Sequence, residues 1–161
     1  MYGKKEIYAL LDERGIEYEA IEHEAVYNIE EADALDLPHR EAGTKNLFIK
    51  DDKKRNYYLV VIPSAQRLDL KALKEKLQSR PLKFANETEL MDILGLIPGQ
   101  VTPLGTLNDS EHKVKVVISS YFRDGLMDAH PNDNTATVIL KTADVAALLE
   151  SFGVSVEYLE I

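Results

Sequence analysis

The chain contains no cysteine. Disulfide bonds, thiolate nucleophiles and cysteine-ligated metals are therefore excluded. No apolar run is long enough to cross a bilayer, and the N-terminal segment lacks the basic, then apolar, then small-residue order of a secretory signal. There is no Walker loop, no G-x-G-x-x-G, no H-E-x-x-H and no G-x-S-x-G. The four histidines, His23, His39, His112 and His130, do not have metal-ligand spacing, so no metal is expected. These absences fit a soluble cytoplasmic protein. The 161 residues, 45% of them hydrophobic, are the usual size for one domain with a real core, and residues 1–161 are read as that single domain.

The net charge is −9, which by itself argues against a nucleic-acid partner. Its distribution argues differently. Residues 45–83 carry eleven Lys and Arg against four Asp and Glu, whereas residues 1–44 and 84–161 each carry four against twelve. The plain reading of the basic third is a solvated helix face over residues 71–80. The sharper reading is a local patch for a phosphate backbone.

The chain is organised around Gly43-Thr44-Lys45-Asn46-Leu47-Phe48-Ile49-Lys50. Leu47, Phe48 and Ile49 put apolar side chains on both faces of a strand, which is then covered on both sides. Six polar residues separate it from Tyr57–Ile62, a β-branched and aromatic run. The pair predicts a hairpin at the centre of a sheet, with Lys45 at its mouth. Helices are predicted over 4–14, 29–37, 70–78, 87–94 and 142–152, with Asn28, Asp69 and Asn86 as N-caps. Asn86 and Glu89 have the capping-box spacing. Strands are predicted over 18–22, 82–85, 114–118, 126–130, 135–140 and 154–159. The fold class is α+β, with a mixed, mostly antiparallel central sheet and flanking helices. The Asp51-Asp52 and Glu30-Glu31 pairs read as solvated.

Three segments remain that together carry a family signature: Thr44-Lys45-Asn46-Leu47-Phe48, the loop Pro98-Gly99-Gln100-Val101-Thr102-Pro103-Leu104-Gly105, and His130-Pro131-Asn132-Asp133-Asn134-Thr135-Ala136-Thr137. In this order and spacing the chain resembles the YbaK/ProX-type prolyl-tRNA editing domains over essentially its whole length. Among them it is most similar to the freestanding alanyl-tRNA(Pro) deacylase branch, with which it also shares Asn108-Asp109. The cysteine found before the proline-glycine turn in some members is absent, and Leu96 and Ile97 stand there.

The resemblance implies a trans-editing hydrolase. It would cleave the ester of alanine mischarged onto tRNA(Pro), spare prolyl-tRNA(Pro), need no cofactor, and have prolyl-tRNA synthetase as a possible partner. It also implies that Lys45, Gly99 and His130 are catalytic, and that Asn46, Pro103 and Gly105 bind substrate. Chemically, a lysine can hold the terminal phosphate or the carbonyl, and N–H groups of the glycine loop can stabilise an oxyanion. No Ser or Cys nucleophile has a paired base, which points to direct attack by water, assisted in this family by the vicinal ribose hydroxyl. His130 would position the water or the substrate amine. Alanine is smaller than proline, so it is chosen by excluding the ring; Tyr27, Ile29 and the short helix ended by Pro38 are the candidate walls. Two alternatives stand beside this reading: a cysteinyl-tRNA(Pro) deacylase of the same fold, and a non-catalytic aminoacyl-tRNA-binding regulator.

Overall fold

The apolar runs at 44–51 and 57–63 form the central hairpin of the computed structural model, which describes residues 1–161. In chain order the elements are α1 (Lys4–Glu13), β1 (Tyr18–Glu22), α2 (Ile29–Asp33), β2 (Thr44–Asp51), β3 (Tyr57–Pro63), α3 (Leu70–Leu77), β4 (Leu82–Phe84), α4 (Glu87–Leu94), β5 (Val114–Ser119), β6 (Leu126–Ala129), β7 (Ala136–Lys141), α5 (Thr142–Ser151) and β8 (Val156–Leu159). They build two sheets, one of five strands in the order β4-β2-β3-β5-β8 and one of three in the order β1-β7-β6. The ladders within the smaller sheet, and those of β2 with β3 and β4, are antiparallel, whereas β3-β5 and β5-β8 are parallel. The fold is thus α+β with mixed, mostly antiparallel pairing. The sequence did not reveal that the strands divide between two sheets.

Both faces of the five-stranded sheet are covered, as the doubly apolar β2 requires. On one face α3 packs Leu73 against Ile49, Tyr58, Val60, Ile62 and Val117. On the other, Phe48, Leu59, Val61, Val116 and Ile118 join a larger core with Ile7 and Leu11 of α1, Leu90 and Leu94 of α4, Val145 and Leu149 of α5, and Met127 and Val138 of the smaller sheet. The helix starts are set by local chemistry. Asp69 accepts from the N–H groups of Lys71 and Ala72, and Asn86 and Glu89 close a reciprocal capping box.

Two expectations are corrected. The predicted helix over 29–37 ends at Asp33. None of its residues is buried, and a short helix with no packed face has little to hold it together. Asp51 is not solvated: it is fully buried and accepts from the N–H groups of Lys53 and Arg55 and from Asn56 Nδ2. Its carboxylate closes the hairpin turn. The neighbouring Asp52 is held by the Arg80 guanidinium.

Candidate active site

Where β2 and β6 meet at the junction of the two sheets, two cavities share walls formed by Ile29, Ala32, Thr44, Asn46 and His130. The larger, about 200 Å³, extends beneath residues 29–40 to Asp128 and Thr137. The smaller, about 180 Å³, opens between Tyr27, Lys45 and Gly99. Each is smaller than a drug-sized pocket and fits a short side chain with its polar attachments.

Asp128 and His130 project from the end of β6 at positions i and i+2, the same side of an extended chain. Thr44 and Asn46 do the same from the start of β2. The Thr44 N–H and hydroxyl donate to Asp128 Oδ1 at 2.9 and 2.7 Å, which ties the two sheets together across the site. Asn46 Nδ2 donates to Thr44 Oγ1 at 3.2 Å. The hydroxyl proton of Thr44 is already committed to Asp128, so only its lone pair is open to Asn46. The Asn46 amide must then present its NH2 to Thr44, which leaves Oδ1 buried and without a partner.

Burial pushes the Asp128 carboxyl up to about 6, against the hydrogen bonds from Thr44 and with help from Asp33. None of the ion pairs of the chain includes Asp128. It is a half-buried carboxylate without a cation.

His130 Nδ1–H donates to the Ala136 carbonyl at 3.0 Å, so Nε2 carries the lone pair. Burial lowers its pKa below the ordinary value, the Ala136 carbonyl opposes the shift, and the nearby His23 adds to it. At neutral pH the ring is therefore an uncharged acceptor on the cavity wall. Opposite it lies the glycine loop. Gly99 has φ +90°, and a Cβ there would lie 2.7 Å from the Val26 carbonyl oxygen and 2.9 Å from Tyr27 Cα. Only glycine lets the loop approach that segment so closely. The N–H groups of Gly99 and Val101 donate to no protein acceptor and remain available to a ligand.

Lys45 leaves the opposite side of β2 from Thr44 and Asn46, by strand alternation. Its Nζ donates to the Gln66 carbonyl at 2.7 Å, just before α3, and the residue lines the smaller cavity. Tyr27, Ile29, Asn46, Gly99 and His130 line the same cavity. Pro103 and Gly105 do not line either cavity. Both are buried in a 3-10 turn, where a Cβ on Gly105 would lie 2.6 Å from Leu96 Cδ1. Their place is in packing behind the loop.

A family-wide model of the aminoacyl-tRNA editing domain matches residues 23–148. The chain is 40% identical to the "Prolyl-tRNA editing protein ProX" of Acetoanaerobium sticklandii, over 100% of this chain and 99% of that protein. It is 35% identical to the mouse (Mus musculus) "Prolyl-tRNA synthetase associated domain-containing protein 1", with 92% of each covered. The chain belongs to the aminoacyl-tRNA editing family.

A crystal structure of a candidate trans-editing enzyme for prolyl-tRNA synthetase superposes with a TM-score of 0.69 over 95% of this chain and 93% of that one, at 20% identity, which shows the same fold. The region matched to the editing domain begins at His23 and takes in every wall residue of both cavities. Within that editing domain the asparagines of the third motif serve as clamps. Asn132 Nδ2 donates to the carbonyls of Tyr2 and Leu104, and Asn134 Nδ2 to that of Val26, which holds the two segments that meet at Gly99. Sequence reasoning missed Thr44 and Asp128. The available signal was their i, i+2 spacing to Asn46 and His130 on strands already identified.

Proposed function

We propose that this editing-family chain is a trans-editing deacylase that hydrolyses alanyl-tRNA(Pro) and spares prolyl-tRNA(Pro). The observation that carries the reading is the convergence of Tyr27, Ile29, Lys45, Asn46, Gly99 and His130, from four separate segments, on one small cavity. In the proposed reaction the aminoacyl ester enters with its carbonyl oxygen toward the Gly99 and Val101 N–H groups. Water attacks the carbonyl carbon, and the charge developing on the carbonyl oxygen is met by those donors. The ester C–O bond then breaks and the ribose oxygen takes up a proton, leaving free alanine and intact tRNA. The neutral Nε2 of His130 accepts a hydrogen bond from the water and orients it. Lys45 supplies positive charge at the mouth, where the terminal phosphate of the tRNA passes.

The names of the relatives support prolyl-tRNA editing. The choice of alanine rests on cavity size and on the branch resemblance. A larger ring meets steep repulsion where the walls leave no room for it, whereas attraction to a smaller residue gives only about 1–3 kcal/mol per methylene. The test is hydrolysis of a panel of purified tRNA(Pro) esters carrying alanine, cysteine or serine. Alanyl-tRNA(Pro) should be cleaved at least tenfold faster than the others. Preference for the cysteinyl ester would reassign the substrate, and binding without turnover of any ester would make the chain a regulator.

A further inference from the structure

The half-buried carboxylate of Asp128 is not used by the hydrolytic steps above. Its two hydrogen bonds from Thr44 both fall on Oδ1, and Oδ2 receives none. Asp33 of α2 lines the same cavity and adds to the negative field there. The basic side chains on that wall, His39 and Arg40, lie beyond ion-pair distance of Asp128. On the neighbouring wall the buried Asn46 Oδ1 is a second acceptor without a donor. The half-buried Asp128 carboxylate has no cation, and the buried Asn46 Oδ1 has no donor; a ligand bringing both a positive charge and N–H groups satisfies the two together. No three His, Asp or Glu side chains converge in the chain as metal ligands would, so the cation that fits is one carrying its own N–H donors.

We propose that Asp128 and Asn46, held in register by Thr44, form a subsite for a primary α-ammonium group. This deepens the aminoacyl-ester reading and rests on it. A free α-amine distinguishes an aminoacyl ester from other acyl esters on a nucleic acid, and at neutral pH it is largely protonated, with a pKa of about 8. Asp128 Oδ2 takes its charge and one N–H, Asn46 Oδ1 takes a second, and His130 Nε2 is left for the water. The subsite sets the orientation of the substrate: with the ammonium fixed between β2 and β6, the carbonyl is directed toward Gly99. Asp128 thus serves recognition through the amine and does not act as the base.

The test compares alanyl-tRNA(Pro) with the lactyl ester made from it by nitrous acid deamination, which replaces the amine with a hydroxyl. Wild-type protein should cleave the lactyl ester at least tenfold more slowly. In Asp128→Asn, which keeps an oxygen for Thr44 and removes only charge, the alanyl rate should drop at least tenfold and the alanyl-to-lactyl ratio should fall toward one. Equal wild-type rates on the two esters would overturn the proposal. So would an equal loss on both in the variant, the pattern of a general base or of a structural role. A binding arm separates failure here from failure of the hydrolase reading. It uses a tRNA acceptor stem ending in 3′-alanylamino-adenosine, which cannot be deacylated as an ester, and its propionyl counterpart lacking the amine. At least tenfold weaker binding of the propionyl stem is expected whether or not any ester turns over, and equal binding of the two stems contradicts the subsite.

Discussion

Thr44 holds Asp128 through both its backbone N–H and its hydroxyl, 2.9 and 2.7 Å from the same carboxylate oxygen. That contact joins the five-stranded sheet to the three-stranded one and fixes an acid in a desolvated wall, where its pKa rises to about 6 from an ordinary 3.8. A carboxyl whose folded pKa is raised favours folding in its protonated form. Its contribution is fully present below pH 3.8 and is lost as pH climbs through 6. Asp128→Asn should therefore be more stable than wild type above pH 7, by about 1–3 kcal/mol, and equal to it near pH 3.5. Urea unfolding of the two proteins across that range measures the difference, since every other titrating group is common to both. A gap that does not change with pH would mean that the acid is not desolvated in the fold.

Gly99→Ala should damage both fold and function. The alanine Cβ would meet the Val26 carbonyl at 2.7 Å from a residue at φ +90°, a clash against backbone that side-chain motion cannot relieve. A stability loss of about 1–3 kcal/mol is expected, with deacylation falling further than the unfolded fraction explains because the loop N–H groups move. Urea denaturation together with single-turnover kinetics reads both effects.

Lys45→Ala should leave the fold nearly intact and remove most of the deacylation. The single hydrogen bond to Gln66 contributes about 1 kcal/mol or less. The lost charge at the cavity mouth should cost at least tenfold in kcat/KM. Full turnover by a folded Lys45→Ala protein would remove this residue from the site.

Much of the fold could be read locally. The Asn86-Glu89 capping box, the Asp69 cap and the doubly apolar β2 each follow from a few adjacent residues, and all form as expected. The division into two sheets could not be read this way, because it depends on β1 pairing with β7 across more than a hundred residues. At the site, Lys45, Gly99 and His130 were marked out by the family resemblance rather than by residue type, and all three line one cavity. Asp128 did not stand out, since a single acid on a short strand looks like a surface charge until burial shows otherwise. Pro103 and Gly105, which the resemblance placed at the substrate, line neither cavity. Both are buried in the turn that follows the loop, a burial that a run of turn residues does not disclose.

Binding of tRNA should weaken steeply with salt despite the acidic composition. Lys71 and Lys74 are exposed on α3, and the segment leading into that helix is tied to the cavity-lining Lys45 through Gln66. Each phosphate contact contributes a slope of about −0.7 to −0.9 in log K against log salt. Lys71→Glu and Lys74→Glu should each flatten that slope. Arg80→Glu should do so less, because that guanidinium is already engaged by Asp52 at 2.7 and 3.1 Å. A wild-type slope near zero would reduce the patch to a solvated face.

The central claim is that a small cavity selects alanine by excluding the larger residue that must survive. Wild-type hydrolysis of alanyl-tRNA(Pro) and prolyl-tRNA(Pro), measured side by side at equal concentration, tests it most directly. Rapid loss of the alanyl ester, with the prolyl ester cleaved at least a hundredfold more slowly, is the predicted result. Comparable rates on the two esters would contradict it.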